Sequence, residues 1–207
     1  MKNVVVLFLI FSFFLILSPL SLSKQPEYKA YFNLASDQRY YKYVAYKPSQ
    51  MFGHRVLLSI VDKRLEQEKV FNEDVQFFYD DIWTEPLTSM LGKIFLKELR
   101  LSNMFSSVDM YEKRPSLILE IELTSFVGHY DPKTQVSKGV IKIHPVFKSA
   151  SDNRIIINKI FGAISRSEIR RGNIYTYIIT HIGNALHTVM EDMIMDLERA
   201  VHSESRK

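Results

Sequence analysis

Three carboxylates stand within six residues of one another, Asp80, Asp81 and Glu85, where an apolar run ends and a helical pattern begins. Acidic side chains this close could share a proton or hold a cation, the chemistry of acid/base hydrolysis or of a metal site. The amides at a helix start carry partial positive charge and attract carboxylates with no ligand present, which accounts for the cluster more simply. His187 and Glu191 lie one helical turn apart, the spacing of a two-ligand metal face, but no third ligand accompanies them; pairing on a surface explains them more simply. Arg166, Arg170 and Arg171 form a basic stretch that is either a solvated loop or a contact to anionic headgroups or an acidic partner.

Aromatic residues offer a different chemistry, that of contact. Tyr40, Tyr41, Tyr43 and Tyr46 crowd into one stretch, with Tyr41 and Tyr43 on one face if it is extended. The stretch reads as an edge strand or a packed loop, or else as an aromatic platform facing lipid or a partner. Trp83 is the only tryptophan. It either staples the following helix by packing on Thr88 or Leu87, or stands exposed as an interface anchor.

Signatures of catalysis are missing. There is no Gly-x-Ser-x-Gly, no His-Glu-x-x-His, no phosphate-cradling glycine loop and no dinucleotide fingerprint. The absence of cysteine excludes disulfides, thiol catalysis and thiolate metal sites. A non-enzymatic binding or assembly module with no cofactor is expected. A formal charge of +4 spread along 207 residues gives no footprint for nucleic acid, and 46% hydrophobic residues exclude disorder.

These residues need elements to position them. Val75–Tyr79 alternates as a strand, and the passage after it opens a helix: Thr84 suits the N-cap, Glu85 the first turn, and Pro86 a position that needs no amide hydrogen. Leu87, Met90, Leu91, Ile94, Phe95 and Leu99 then recur at helical steps, while Lys93, Lys97, Glu98 and Arg100 point elsewhere. Strands are expected over 28–34, 55–61, 104–110, 117–127, 136–147 and 155–165, the last with a bulge at Gly162, and a surface helical turn over 62–69. Asn173 caps a final helix, whose stripe runs Ile178, Ile182, Ala185, Leu186, Val189, Met193 and Leu197. Strands, helix, strands, helix predict an α+β two-layer sandwich, a mainly antiparallel sheet with both long helices on one face.

The first 23 residues read as a signal peptide or an uncleaved anchor: Lys2, an apolar run from Val4 to Leu17, Pro19, and a Ser21-Leu22-Ser23 cleavage site. Residues 24–201 then form one domain, and 202–207 a polar tail.

In this order the chain resembles the ABC-type transport auxiliary, PqiC-like family. The likeness rests on Val61-Asp62-Lys63-Arg64, on Trp83-Thr84-Glu85-Pro86-Leu87 opening the helix, and on Phe105-Ser106-Ser107-Val108 entering a strand. It spans roughly residues 28–201. The resemblance implies a periplasmic, membrane-proximal accessory of an MCE-type lipid transport system, whose partners are an MCE-domain protein, ABC transporter subunits and further copies of itself. The chain lacks the family's lipobox cysteine, so a soluble or N-terminally tethered form replaces lipid anchoring. Trp83, Glu85, Pro86, Tyr41, Tyr43, Arg170 and Arg171 are the candidate contact or structural hot spots. Two alternatives stay open: an accessory of outer-membrane or lipopolysaccharide assembly, and a periplasmic hydrolase using Asp80, Asp81 or Glu85.

Overall fold

The computed structural model describes residues 32–65, 76–77, 83–169 and 171–204, at 76–77 the backbone alone. The leader, most of the strand expected at 28–34, the end of the turn expected at 62–69, and Asp80, Asp81 and Arg170 lie outside the described residues. Among those described, the elements run β1 (Phe52–Asp62), β2 (Gln76–Phe77), α1 (Leu87–Leu101), β3 (Phe105–Asp109), β4 (Leu117–Asp131), β5 (Val136–Ser149), β6 (Ile155–Asn158), β7 (Phe161–Glu168) and α2 (Ile174–Glu204). No described helix is long and apolar enough to cross a membrane.

The alternation in the sequence of β4 becomes its burial pattern: Leu117, Leu119, Ile121 and Leu123 are buried, and the residues between them are half-exposed. Register carries that face across the sheet. Leu119 lies opposite Leu58 of β1 on one side and Phe147 of β5 on the other. The strands form one mixed sheet, ordered β3-β1-β4-β5-β6, with β2 on β4 and β7 on β5.

Four of the six described strand pairings are antiparallel, and the exception is β1. It runs parallel to both of its neighbours, β3 and β4, whereas β2, β5, β6 and β7 pair antiparallel. The reason is the connection: α1 lies between β1 and β3, and a helical crossover returns the chain in its original direction.

The expected strand at 155–165 is corrected. It breaks at Lys159–Ile160 into β6 and β7, and Gly162 sits in regular register opposite Lys142 instead of in a bulge. At the break Lys159 Nζ pairs with Asp196 Oδ2 of α2 at 2.5 Å and lies 4.8 Å from the Phe161 ring centre.

Both helices bury the apolar stripes read from the sequence. On α1 a Cβ at Gly92 would meet Met110 and Ile60, and β5 touches α2 at Gly139, where a Cβ would clash with the backbone of His181 and Ile182. Asn173 caps α2 as expected, its Oδ1 accepting the Tyr175 amide at 2.8 Å. The cap expected on α1 is corrected: Pro86 holds the N-cap position with no side-chain cap, and its carbonyl accepts the Met90 amide at 3.0 Å. Thr84 Oγ1 instead accepts Asn33 Nδ2 at 2.9 Å.

Beside Gly139, the buried His181 ring lies between Ser165 Oγ and Ser167 Oγ of β7, each 2.9 Å away. The residues of β5 and β7 that share this face beside the ring are Ser137, Gly139, Ser165 and Ser167; by register Lys138, Arg166 and Glu168 fall on the other. Burial without an opposing charge pushes the imidazole pKa below its ordinary 6.5. The fold therefore favours neutral His181. Its contribution is complete above pH 6.5 and is lost as pH falls through the lowered value. Urea midpoints should drop between pH 7.5 and 5, and His181→Gln should flatten that slope. An equal slope in both proteins would remove His181 as its source.

Candidate functional site

Apart from turns at 34–36 and 38–40, residues 32–51 hold little regular structure, and the tyrosines, expected on an edge strand or a packed loop, lie on an extended strap laid over both helices. Its backbone presses on α2, where a Cβ at Gly183 would fall inside contact with the Tyr40 carbonyl. His187 Nδ1 donates to the Lys42 carbonyl at 2.8 Å, which ties α2 to the strap. Among the described residues no group of three or more His, Asp or Glu could hold a metal ion.

Two glutamates, one from each helix, hold the strap. Glu98 of α1, expected on the solvent face, is buried and accepts the Val44 amide at 2.9 and 3.0 Å together with the Tyr41 hydroxyl. Glu198 of α2 accepts the Tyr46 hydroxyl and, at 2.5 and 2.6 Å, the Ser49 amide and hydroxyl. Tyr41 is buried, with its ring 5.3 Å from that of Tyr43 in an edge-on pair. Tyr43 is half-buried: its hydroxyl donates to the Ala35 carbonyl at 2.9 Å, and Lys97 Nζ stands 4.0 Å from its ring centre. The Tyr41 ring lies inside the protein, whereas the Tyr43 ring stays half-exposed with its hydroxyl bonded inward.

Burial pushes the Glu98 carboxyl above its ordinary 4.5, against the pull of the Tyr41 and Val44 donors. Burial, then the Glu98 charge, also raises the Tyr41 phenol. At the half-buried end, burial and Glu198 push Tyr46 up to about 12. A raised carboxyl pKa means that Glu98 contributes most below pH 4.5 and loses that contribution as pH rises through the folded value. Glu98→Gln should cost about 1 kcal/mol at acid pH. The gap from the parent protein should narrow as pH rises, as followed by urea denaturation. A widening gap would reverse the assignment.

The Trp83–Leu87 passage is built inward. Trp83 is 6% exposed, and its ring meets Phe126 of β4 edge-on at 5.6 Å. The tryptophan is thus buried, with a ring partner in the sheet. Glu85 is surrounded by donors, namely Asn33 Nδ2 at 2.9 Å, Ser89 Oγ at 2.7 Å and Lys93 Nζ at 2.5 Å. Lys93 chiefly holds its carboxyl below the usual range. A carboxylate so held stays ionised and poorly suits proton transfer near neutrality. Arg171 is exposed, and its carbonyl accepts the Tyr177 hydroxyl at 2.9 Å. Arg166, expected in a loop, is exposed on β7 opposite Lys138. The Val61–Arg64 passage closes on itself, with buried Arg64 forked onto Asp62 at 3.0 and 2.7 Å.

One feature escaped sequence reasoning. Between the strap and the C-terminal end of α1 lies an open cleft of about 630 Å³, walled by Tyr43, Val44, Tyr46, Met51 and Leu101 among others. Periodicity does not reveal the exposure of Met51 (69%) and Leu101 (52%), since Met51 lies outside any repeat and Leu101 falls seven residues after the buried Ile94.

No family model and no curated protein matches the chain. Solved structures do. A DUF330 protein from Xanthomonas campestris superposes with a TM-score of 0.63 at 16% identity, covering 81% of this chain and 98% of that one. An uncharacterized protein gives 0.51 at 11% identity over 75% and 99% of the two chains. The likeness is one of fold. A hypothetical protein from Chlamydia trachomatis covers 72% of this chain and 98% of its own, with a TM-score of 0.48 at 9% identity.

Proposed function

We propose that the chain is an exported, non-catalytic accessory of an ABC/MCE-type lipid transport system in a Gram-negative envelope, working in the periplasm either free or held by its N-terminal segment. In this reading it is a two-layer α+β sandwich, with both helices on one sheet face and the other face left for partners and further copies of itself. The observation that carries the reading is the Trp83–Leu87 passage. It resembles the transport-auxiliary family, and it folds as an anchor between sheet and helix, with Trp83 on Phe126 and Glu85 engaged by Asn33, Ser89 and Lys93. Three donors around a carboxylate held low favour a positioning role over acid/base catalysis.

Affinity purification of the tagged protein from its own envelope tests the proposal. MCE-domain and ABC subunits are expected in repeated isolates. Recovery of lipopolysaccharide-assembly components in their place would move the protein to that machinery.

A further inference from the structure

The cleft at the strap has a chemistry of its own. Its walls include the rings of Tyr43 and Tyr46 and the aliphatic side chains of Val44, Met51 and Leu101. Such a volume and lining are those of small-molecule sites, which are mostly apolar with few polar groups. What the polar wall residues are doing narrows the class. The Tyr43 hydroxyl donates to Ala35, Tyr46 to Glu198 and Ser102 to Leu99, and Gln50 Nε2 meets His202 Nδ1. A peptide or a sugar would bring donors and acceptors and find most of the candidate partners already engaged, at a cost for each group left unpaired. The one charged lining residue is Lys47, exposed and without an ion pair among the described residues. An occupant with a carbon chain and one anionic end meets both conditions.

We propose that this cleft takes one acyl chain of an anionic lipid, with the chain along Tyr43, Tyr46, Met51 and Leu101 and the head at Lys47. The inference rests on the lipid-transport reading for its biological sense, and names the class of molecule handled.

Titration of the purified protein with a long-chain polyene fatty acid, whose emission rises on leaving water, tests it. Saturable binding of one probe per chain is expected. Leu101→Glu and Met51→Glu change exposed positions, so thermal midpoints should hold while each weakens binding by about tenfold or more. Lys47→Glu should weaken it several-fold and Lys47→Arg restore it, while the uncharged methyl ester of the probe should not distinguish the two. Unchanged affinity in Leu101→Glu, or no saturable binding by the parent protein, overturns the proposal. So does a change of oligomeric state in Leu101→Glu when the parent protein binds no probe, which assigns the cleft to a second copy. Partner recovery with the tagged parent protein keeps the two readings apart. Partners without probe binding remove only the cleft; probe binding without partners removes only the transport reading.

Discussion

Trp83→Ala should lower the stability of the protein by about 3–5 kcal/mol, the range for deleting a buried tryptophan side chain. The side chain is 6% exposed within the main core, and its ring stands edge-on to Phe126. The backbone around it is committed too: Trp83 bridges Phe32, and the Thr84 amide donates to the Phe32 carbonyl at 3.1 Å. Truncation would open a cavity at the place where the strap, β4 and the start of α1 meet, and none of the three can collapse into it without moving another. Trp83→Phe should lose less, since a smaller ring can keep an edge contact with Phe126. Urea denaturation of both variants, with partner recovery measured in parallel, separates packing from recognition. A Trp83→Ala protein of unchanged stability that no longer recovers its partners would return Trp83 to the role of interface anchor.

How much of this was legible in the sequence depends on whether a feature is local. The helical stripes of α1 and α2 and the alternation of β4 and β5 are local, because a period of 3.6 or 2 records which face is buried. The parallel placement of β1 is not local; alternation looks alike in both directions, and only the helix between β1 and β3 carried the clue. Glu98 was readable in part. Leu87, Leu91, Ile94 and Glu98 step by four, three and four along one face, so a carboxylate continues the apolar stripe. Charge suggested solvent there, whereas the spacing pointed inward. His181 gives the same signal beside Ile178 and Ile182. A charged or polar residue on a buried stripe implies a partner from elsewhere in the chain, and here the partners are Tyr41 and Val44 in one case and Ser165 and Ser167 in the other. The cleft could not be found this way, because its walls come from an irregular strap and a helix end.

Glycine in the middle of a helix normally costs stability, so replacing it with alanine should gain up to about 1 kcal/mol. At Gly183 the sign should reverse. The missing Cβ makes room for the Tyr40 carbonyl, a backbone atom that cannot swing aside as a side-chain tip would. Gly183→Ala must therefore lift the strap from α2, and the neighbouring contacts lift with it: His187 loses the Lys42 carbonyl, and Glu98 loses its geometry with Tyr41 and Val44. A loss of about 3 kcal/mol is expected, the upper range for overpacking. Two other glycines calibrate the result. Gly92 faces the flexible end of Met110, and Gly53 has no atom within 4 Å of its would-be Cβ, so alanine should be tolerated at both. Because the strap also walls the cleft, Gly183→Ala should weaken binding of the fatty-acid probe although no residue lining the cleft is replaced. A Gly183→Ala protein as stable as Gly53→Ala would mean that the strap does not rest on α2, and the two-glutamate clamp would fall with it.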